Sequence, residues 1–89
     1  MPSVRFTRNI QRHVECPTLD VPGATLGEVL DAYFATNKRA RSYVLEDDGK
    51  LRKHMAVFID GQQIGDRHRL TDHVPEGAVI DVVQSLSGG

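Results

Sequence analysis

Several features are scarce in this 89-residue sequence, and each shortage excludes a class of protein. Cys16 is the single cysteine, so no disulfide can form within the chain. No apolar run reaches the roughly 18 residues that a membrane-spanning helix needs. Neither sign of charge dominates, because 11 lysines and arginines face 12 aspartates and glutamates, and this gives no global attraction to nucleic acid or to a membrane. The length also excludes a deep active-site cleft between two domains.

The residues that are present are typical of one folded domain in the cytoplasm. The sequence is 39% hydrophobic and 26% charged, which suits a globular chain rather than a disordered one. Residues 1–6 are charged and alternating, without the apolar run of a signal peptide. Together with the free thiol of Cys16, this predicts a cytoplasmic location.

Apolar spacing predicts the order strand, strand, helix, strand, strand. Val4 and Phe6 alternate with polar neighbours and predict the first strand. Residues 8–12 are expected to be a loop, and residues 13–21 to be extended. Pro17 lies within that second run and indicates an edge strand or a bulge, because proline cannot donate to a central ladder.

The helix has clear signals at both ends. Thr25 followed by Glu28 matches a capping box, and Asn37 is a reasonable helix end. One helical face carries the apolar residues at the required spacing: Leu26, Val29, Leu30, Tyr33 and Phe34.

Two later strands complete the predicted α+β fold. Residues 54–59 and 78–84 alternate as strands do, and Asp60-Gly61 is a strong hairpin signal. These elements predict a mixed sheet of four to five strands with one main helix packed on one face. The expected core consists of the five helix residues together with Val4, Phe6, Val57, Ile59, Ile80 and Val82.

The chain ends in two glycines, Gly88 and Gly89. The ordinary explanations are a frayed terminus or a cloning remnant. The chemical explanation is that residues without Cβ let an extended backbone thread a narrow channel and bring its α-carboxylate to a reactive centre. Adenylation by ATP would make a carboxylate oxygen a leaving group, and a thiol or persulfide could then displace AMP.

The whole chain resembles the MoaD/ThiS family of sulfur-carrier proteins, which have the ubiquitin-like β-grasp fold. The resemblance is carried by the order of elements, the terminal diglycine and four segments: TLGEVL at 25–30, LEDDGKLR at 45–52, VFIDGQ at 57–62 and PEGAVIDV at 75–82. It implies central, parallel first and last strands and a second strand at an edge. Residues 1–84 would form the β-grasp domain and residues 85–89 a flexible tail.

The same resemblance implies a carrier that is not itself an enzyme and has no catalytic residues. An adenylating enzyme would use ATP to activate Gly89, and a sulfurtransferase or cysteine desulfurase would supply sulfur. The Gly89 thiocarboxylate would then donate sulfur to a downstream synthase, in molybdopterin, thiamine, cysteine or similar biosynthesis. No bound cofactor is expected.

A partner-binding surface is expected on the open sheet face and at the base of the tail. Strand alternation turns Phe58, Ala56 and Val83 away from the helix, and Leu86 and Ser87 follow. Exposed apolar clusters of this kind often mark binding surfaces, although scattered surface hydrophobes are the ordinary alternative.

Other candidate sites are weak. His68 and His73 are five apart, which is not the spacing of a helical metal pair, and no metal site is expected. Cys16 is expected to be buried and inert. Lysines and arginines cluster at 38–53 and at 5–12. The usual explanation of such clusters is a solvated surface; binding of an acidic partner protein is the second explanation, and binding of nucleic acid is the third.

Two other functions remain open from the sequence. A ubiquitin-like modifier would share the adenylate and then form isopeptide bonds through Gly89. A plain β-grasp binding module would use neither glycine.

Overall fold

The structure is a computed structural model, and it describes residues 1–85. The predicted site residues Leu86, Ser87, Gly88 and Gly89 lie outside the described residues. The elements in chain order are β1 (Ser3–Phe6), α1 (Arg8–Gln11), β2 (Leu19–Asp20), α2 (Leu26–Thr36), α3 (Lys38–Val44), β3 (Met55–Ile59), β4 (Gln62–Gln63) and β5 (Val79–Gln84).

The five strands form one mixed sheet in the order β2-β1-β5-β3-β4. β1 and β5 are parallel neighbours near the centre, while the other three pairings are antiparallel. β2 lies at one edge. The topology implied by the family resemblance is therefore confirmed, and the last strand has a hydrogen-bonded neighbour on each side.

The core lies between the sheet and the apolar face of α2. The rings of Phe6 on β1 and Tyr33 on α2 have centroids 4.9 Å apart. Every predicted core residue is buried except Ile59, which is half-buried and packs against the core. Burying one aliphatic or phenylalanine side chain of this kind contributes about 1.5–3 kcal/mol of transfer free energy.

The predicted cap at the start of α2 is confirmed. The Glu28 backbone N–H donates to Thr25 Oγ1 at 3.3 Å, and Glu28 Oε1 accepts from the backbone N–H of Ala24 at 2.9 Å. Two further N–H groups of the first turn donate to carbonyls of a later loop, from Leu26 to Asp72 and from Gly27 to Leu70. The three donors at the start of the helix, the N–H groups of Leu26, Gly27 and Glu28, are thus satisfied.

The loop that supplies those carbonyls is held together by Asp66. Its carboxylate accepts from the backbone N–H groups of His68, Arg69 and Thr71 and from the Thr71 hydroxyl at 2.6 Å. These bonds lower the pKa of Asp66 to about 2, the bond from the Arg69 backbone contributing most. Leu70 has a positive φ of 57° within this loop and is nevertheless buried.

The Asp60-Gly61 hairpin is also confirmed. Both residues have positive φ, 49° and 84°, as a type I′ turn requires. Asp60 Oδ1 accepts from the Val79 backbone N–H at 2.9 Å, which links the turn to the start of β5.

The expectation of a loop at residues 8–12 is wrong, because the chain makes the short helix α1 there. Backbone bonds from Gln11 to Thr7 and from Arg12 to Arg8 close the turn. Ile10 is fully buried within it. A single apolar residue among polar ones shows no helical period, so the sequence pattern could not indicate this turn.

The expectation of an extended strand over residues 13–21 is only partly right. β2 has two residues, and Pro17 precedes it. Side chains of the helical layer take the backbone carbonyls that a ladder would have used: Tyr33 Oη donates to Pro17 O at 2.6 Å and Asn37 Nδ2 donates to Glu15 O at 2.7 Å.

A second helix, α3, follows the main one and was not predicted. Asn37 ends α2 as expected, and its Oδ1 also accepts from the Ala40 N–H at 3.4 Å, which caps α3. Ala40 and Val44 lie one turn apart and are fully buried. No helix among residues 1–85 is long and apolar enough to cross a membrane.

Candidate protein-docking face

The predicted partner-binding residues that the structure describes lie side by side on the sheet face away from α2. Register pairs Ala56 with Val83 and Phe58 with Asp81 across β3 and β5. Ala56, Phe58 and Val83, here called the open-face patch, are all half-buried, whereas Val57 and Val82 point into the core and are fully buried. The structure thus brings together three of the predicted contacts on one surface.

An ion pair borders the open-face patch. Arg5 on β1 is the register partner of Asp81 on β5, and its Nε and Nη2 donate to the two carboxylate oxygens at 2.8 and 3.0 Å. The hydrogen bond and the charge of Asp81 raise the pKa of Arg5 above its ordinary value. A bidentate pair holds both side chains in one orientation, so an apolar patch and an oriented polar pair share one face.

The base of the predicted tail is anchored to the neighbouring strand. The Ser85 N–H donates to His54 O at 2.8 Å, and the preceding residue, Gln84, pairs with Met55 in the β3–β5 ladder. The chain therefore leaves the sheet from a hydrogen-bonded position next to the open-face patch.

Comparison with solved structures places this architecture among known proteins. A chain of the BexX/CysO complex from Amycolatopsis orientalis is 17% identical, with a TM-score of 0.83 over 100% of both chains. Small archaeal modifier protein 1 (SAMP1) from Haloferax volcanii is 25% identical, with a TM-score of 0.77 over 99% of this chain and 98% of that one. CysO from Mycobacterium tuberculosis is 15% identical, with a TM-score of 0.80 over 97% of this chain and 100% of that one.

The chain has the ubiquitin-like β-grasp fold of the MoaD/ThiS type. No family model matches its sequence, and no curated protein does. The fold predicted from the resemblance is therefore confirmed by structural likeness over nearly the whole chain.

Within this β-grasp, Cys16 is fully buried, as predicted. Burial raises the pKa of its thiol, and a protonated thiol is a poor nucleophile and metal ligand. Among residues 1–85, no three histidine, cysteine, aspartate or glutamate side chains are grouped so that they could hold a metal ion.

Two features of the β-grasp surface were missed by the sequence reasoning. Arg5 and Asp81 are both turned to the open face by alternation, but they are 76 positions apart, and only the parallel pairing of β1 and β5 brings them together. Tyr43 stacks on His13, with ring centroids 5.5 Å apart and planes at 20°, because the unpredicted helix α3 carries it there. An apolar pair one turn apart, Ala40 and Val44, was the available signal for α3.

Proposed function

We propose that this chain is a sulfur-carrier protein whose Gly89 carboxylate is adenylated and converted to a thiocarboxylate. The observation that carries the proposal is the full-length likeness to the sulfur-carrier and ubiquitin-like proteins CysO and SAMP1, in a chain whose last residues are Gly88 and Gly89. The proposal takes Gly89 as the C-terminal residue.

The chemistry has three steps at the C-terminal carboxylate of Gly89. A carboxylate oxygen attacks the α-phosphate of ATP, pyrophosphate leaves, and an acyl-adenylate forms on the partner enzyme. A persulfide or thiol sulfur then attacks the carbonyl carbon and AMP leaves, so the carbon–oxygen bond to the phosphate is replaced by a carbon–sulfur bond. Where the attacking group is a persulfide, a second thiol of the sulfur-supplying enzyme then attacks the cysteine-bound sulfur, so the sulfur–sulfur bond to Gly89 breaks, a disulfide forms on the enzyme and the Gly89 thiocarboxylate leaves.

The partners in this proposal are an adenylating enzyme, a sulfurtransferase or cysteine desulfurase, and a synthase that accepts the sulfur. The carrier is their co-substrate rather than an enzyme, and ATP is bound by the partner. The open-face patch, continued by Leu86 and Ser87, is the proposed docking surface, since its half-buried apolar atoms adjoin the chain leading to Gly89. A cytoplasmic location belongs to the same proposal, because the reaction consumes ATP.

The test is the intact mass of the protein after incubation with its adenylating enzyme, Mg-ATP and a sulfur source. We expect a gain equal to the exchange of one oxygen for one sulfur, located in the C-terminal peptide. Deletion of Gly89 should abolish it. Gly65→Ala is the matched control, because an added Cβ there meets only ordinary contact, with Asp72 Oδ2 3.8 Å away. An unchanged mass with an enzyme shown to be active would refute the carrier function.

A second candidate function is a ubiquitin-like modifier joined to lysines through Gly89. The likeness to SAMP1, at 25% identity, is the observation that favours it. Conjugate ladders detected with an antibody against the chain, and lost with deletion of Gly89, would support this function. Free thiocarboxylate without ladders would support the carrier.

A further inference from the structure

A groove lies beside the point where the chain leaves β5, between α3 and the start of β3. It has a volume of about 390 Å³, and its lining includes Tyr43, Met55 and Gln84. The first two are buried or half-buried and supply apolar surface. Gln84 Oε1 is buried without a hydrogen-bond partner among residues 1–85. An occupant could therefore fill apolar space, and a rotation of the Gln84 side chain would bring this oxygen within reach of a donor.

The aromatic wall of the groove is already held in place. Tyr43 stacks on His13 in a nearly parallel arrangement, with planes at 20°. Met55 is almost fully buried at the start of β3. Side chains that are ordered before binding lose less conformational entropy when a ligand docks.

The rim of the groove carries excess positive charge. Arg52 Nη1 lies 3.2 Å from Glu46 Oε1, so these two charges offset each other. Lys53 is exposed and has no ion-pair partner among the described residues. Arg67 is not part of the lining but lies beside it, since its Nη2 donates to the backbone carbonyls of Arg52 and Lys53 at 2.9 and 3.4 Å. The lining thus holds two cations and one carboxylate, with a third cation beside it.

The opposite end of β5 carries acidic side chains instead. Asp60 bonds to the backbone of Val79, where β5 begins, and Glu76 lies just before that strand, where it pairs with the N-terminal ammonium of Met1. The charge of the molecule, close to neutral overall, is therefore unevenly distributed along β5. An acidic partner is attracted to the end from which the chain continues towards Gly89.

We propose that this groove, here called the tail-root groove, binds an acidic protein segment with one large apolar side chain. The apolar side chain would lie against Tyr43 and Met55, the carboxylates would face Lys53, and a backbone N–H would donate to Gln84. Nucleic acid fits less well, since the groove offers one aromatic ring from Tyr43 and an apolar methionine rather than a series of stacking platforms. That this segment belongs to an enzyme acting on Gly89 rests on the proposed function.

The test is an NMR titration of the ¹⁵N-labelled full chain with a capped acidic peptide, Glu-Glu-Leu-Phe-Asp-Glu. We expect saturable shifts at Tyr43, His54, Met55 and Gln84, weakened by salt, and no shifts at Phe58. Lys53→Glu should raise the dissociation constant about three- to tenfold, as expected when one exposed ion pair becomes a repulsion. The matched control is Lys38→Glu, at the other end of α3, which should change it little.

Several outcomes would overturn this inference. The first two are the absence of saturable shifts and shifts centred on the open-face patch. The other two are a Lys53→Glu variant that binds the acidic peptide as tightly as the wild type does, and a peptide with lysines in place of its acids that binds as tightly as the acidic one. Tighter binding of a short oligothymidylate than of the acidic peptide would assign the groove to nucleic acid instead. If the protein acquires the thiocarboxylate but does not bind the peptide, the proposed function stands and only the groove proposal is refuted. If the protein binds the peptide but acquires no thiocarboxylate, only the proposed function is refuted.

Discussion

Single side chains in this protein hold together segments that have little regular structure of their own. Asp66 is the clearest case, because one carboxylate accepts bonds from three backbone N–H groups and a hydroxyl. The loop it organises presents the carbonyls of Leu70 and Asp72 to the first turn of α2. A charged acceptor makes stronger hydrogen bonds than a neutral one, so the ionised form of Asp66 stabilises both the loop and the helix start.

Stability should therefore depend on the ionisation of Asp66. A carboxyl whose pKa is lower in the folded state than in the unfolded state stabilises the fold fully above its ordinary pKa and loses that contribution as the pH falls through the folded value. With a pKa lowered from 3.8 to about 2, the loss falls between about pH 4 and pH 2.

We expect Asp66→Asn to lower the melting temperature at neutral pH, with the difference from the wild type shrinking in that acid range. Thermal unfolding followed by circular dichroism across pH measures this. Asp31→Asn, an exposed change on α2, is the control. A constant difference from pH 7 to pH 2 would show that charge on Asp66 is not the cause.

At the scale of elements, Asn37 joins the two helices. Its N–H donates to Phe34 O at the end of α2, its Oδ1 caps α3, and its Nδ2 donates to Glu15 O in the segment before β2. The backbone of Asn37 thus closes the end of α2, while its side chain caps the start of α3 and ties residues 13–18 to the helices.

We expect Asn37→Ala to destabilise the protein by about 1–2 kcal/mol, the usual effect of losing an N-cap together with a side-chain hydrogen bond. Urea denaturation measures the change. Asn37→Asp keeps an oxygen that can cap α3 and loses the donor to Glu15, so its stability should be intermediate. Equal stability of Asn37→Ala and the wild type would contradict a capping role.

At the scale of the whole molecule, the two faces of the sheet have different roles. One face packs with α2 to form the core, and the other presents the open-face patch beside the Arg5–Asp81 pair. The central place of β5 ties the path towards Gly89 to a strand with partners on both sides. A domain with this arrangement can act as a rigid handle for a reactive terminus.

We expect Phe58→Asp to slow adenylation about tenfold, equivalent to about 1.4 kcal/mol, with no change in fold, because the new carboxylate sits on the proposed docking surface. Initial rates of pyrophosphate release measure it, and circular dichroism checks the fold. Gln62→Asp is the matched control, since its register partner is Ile59 and it lies on the other face. An unchanged rate in a folded Phe58→Asp protein would remove Phe58 from the interface.

The strongly periodic parts of the fold could be predicted from the sequence. The helical spacing from Leu26 to Phe34, the cap at Thr25 and the turn at Asp60-Gly61 all rest on interactions between residues near each other in the chain. The same holds for the turn of Phe58 away from the core, which follows from strand alternation.

The rest was decided by contacts between residues far apart in the chain. Residues 15–17 form no strand because Tyr33 and Asn37 take their carbonyls. The Arg5–Asp81 pair exists because β1 and β5 run parallel, and the tail-root groove exists because α3 brings Tyr43 beside Met55. Local patterns in the sequence specify elements through short-range bonds and burial, whereas a surface site needs the tertiary structure, since its members meet only when the elements pack.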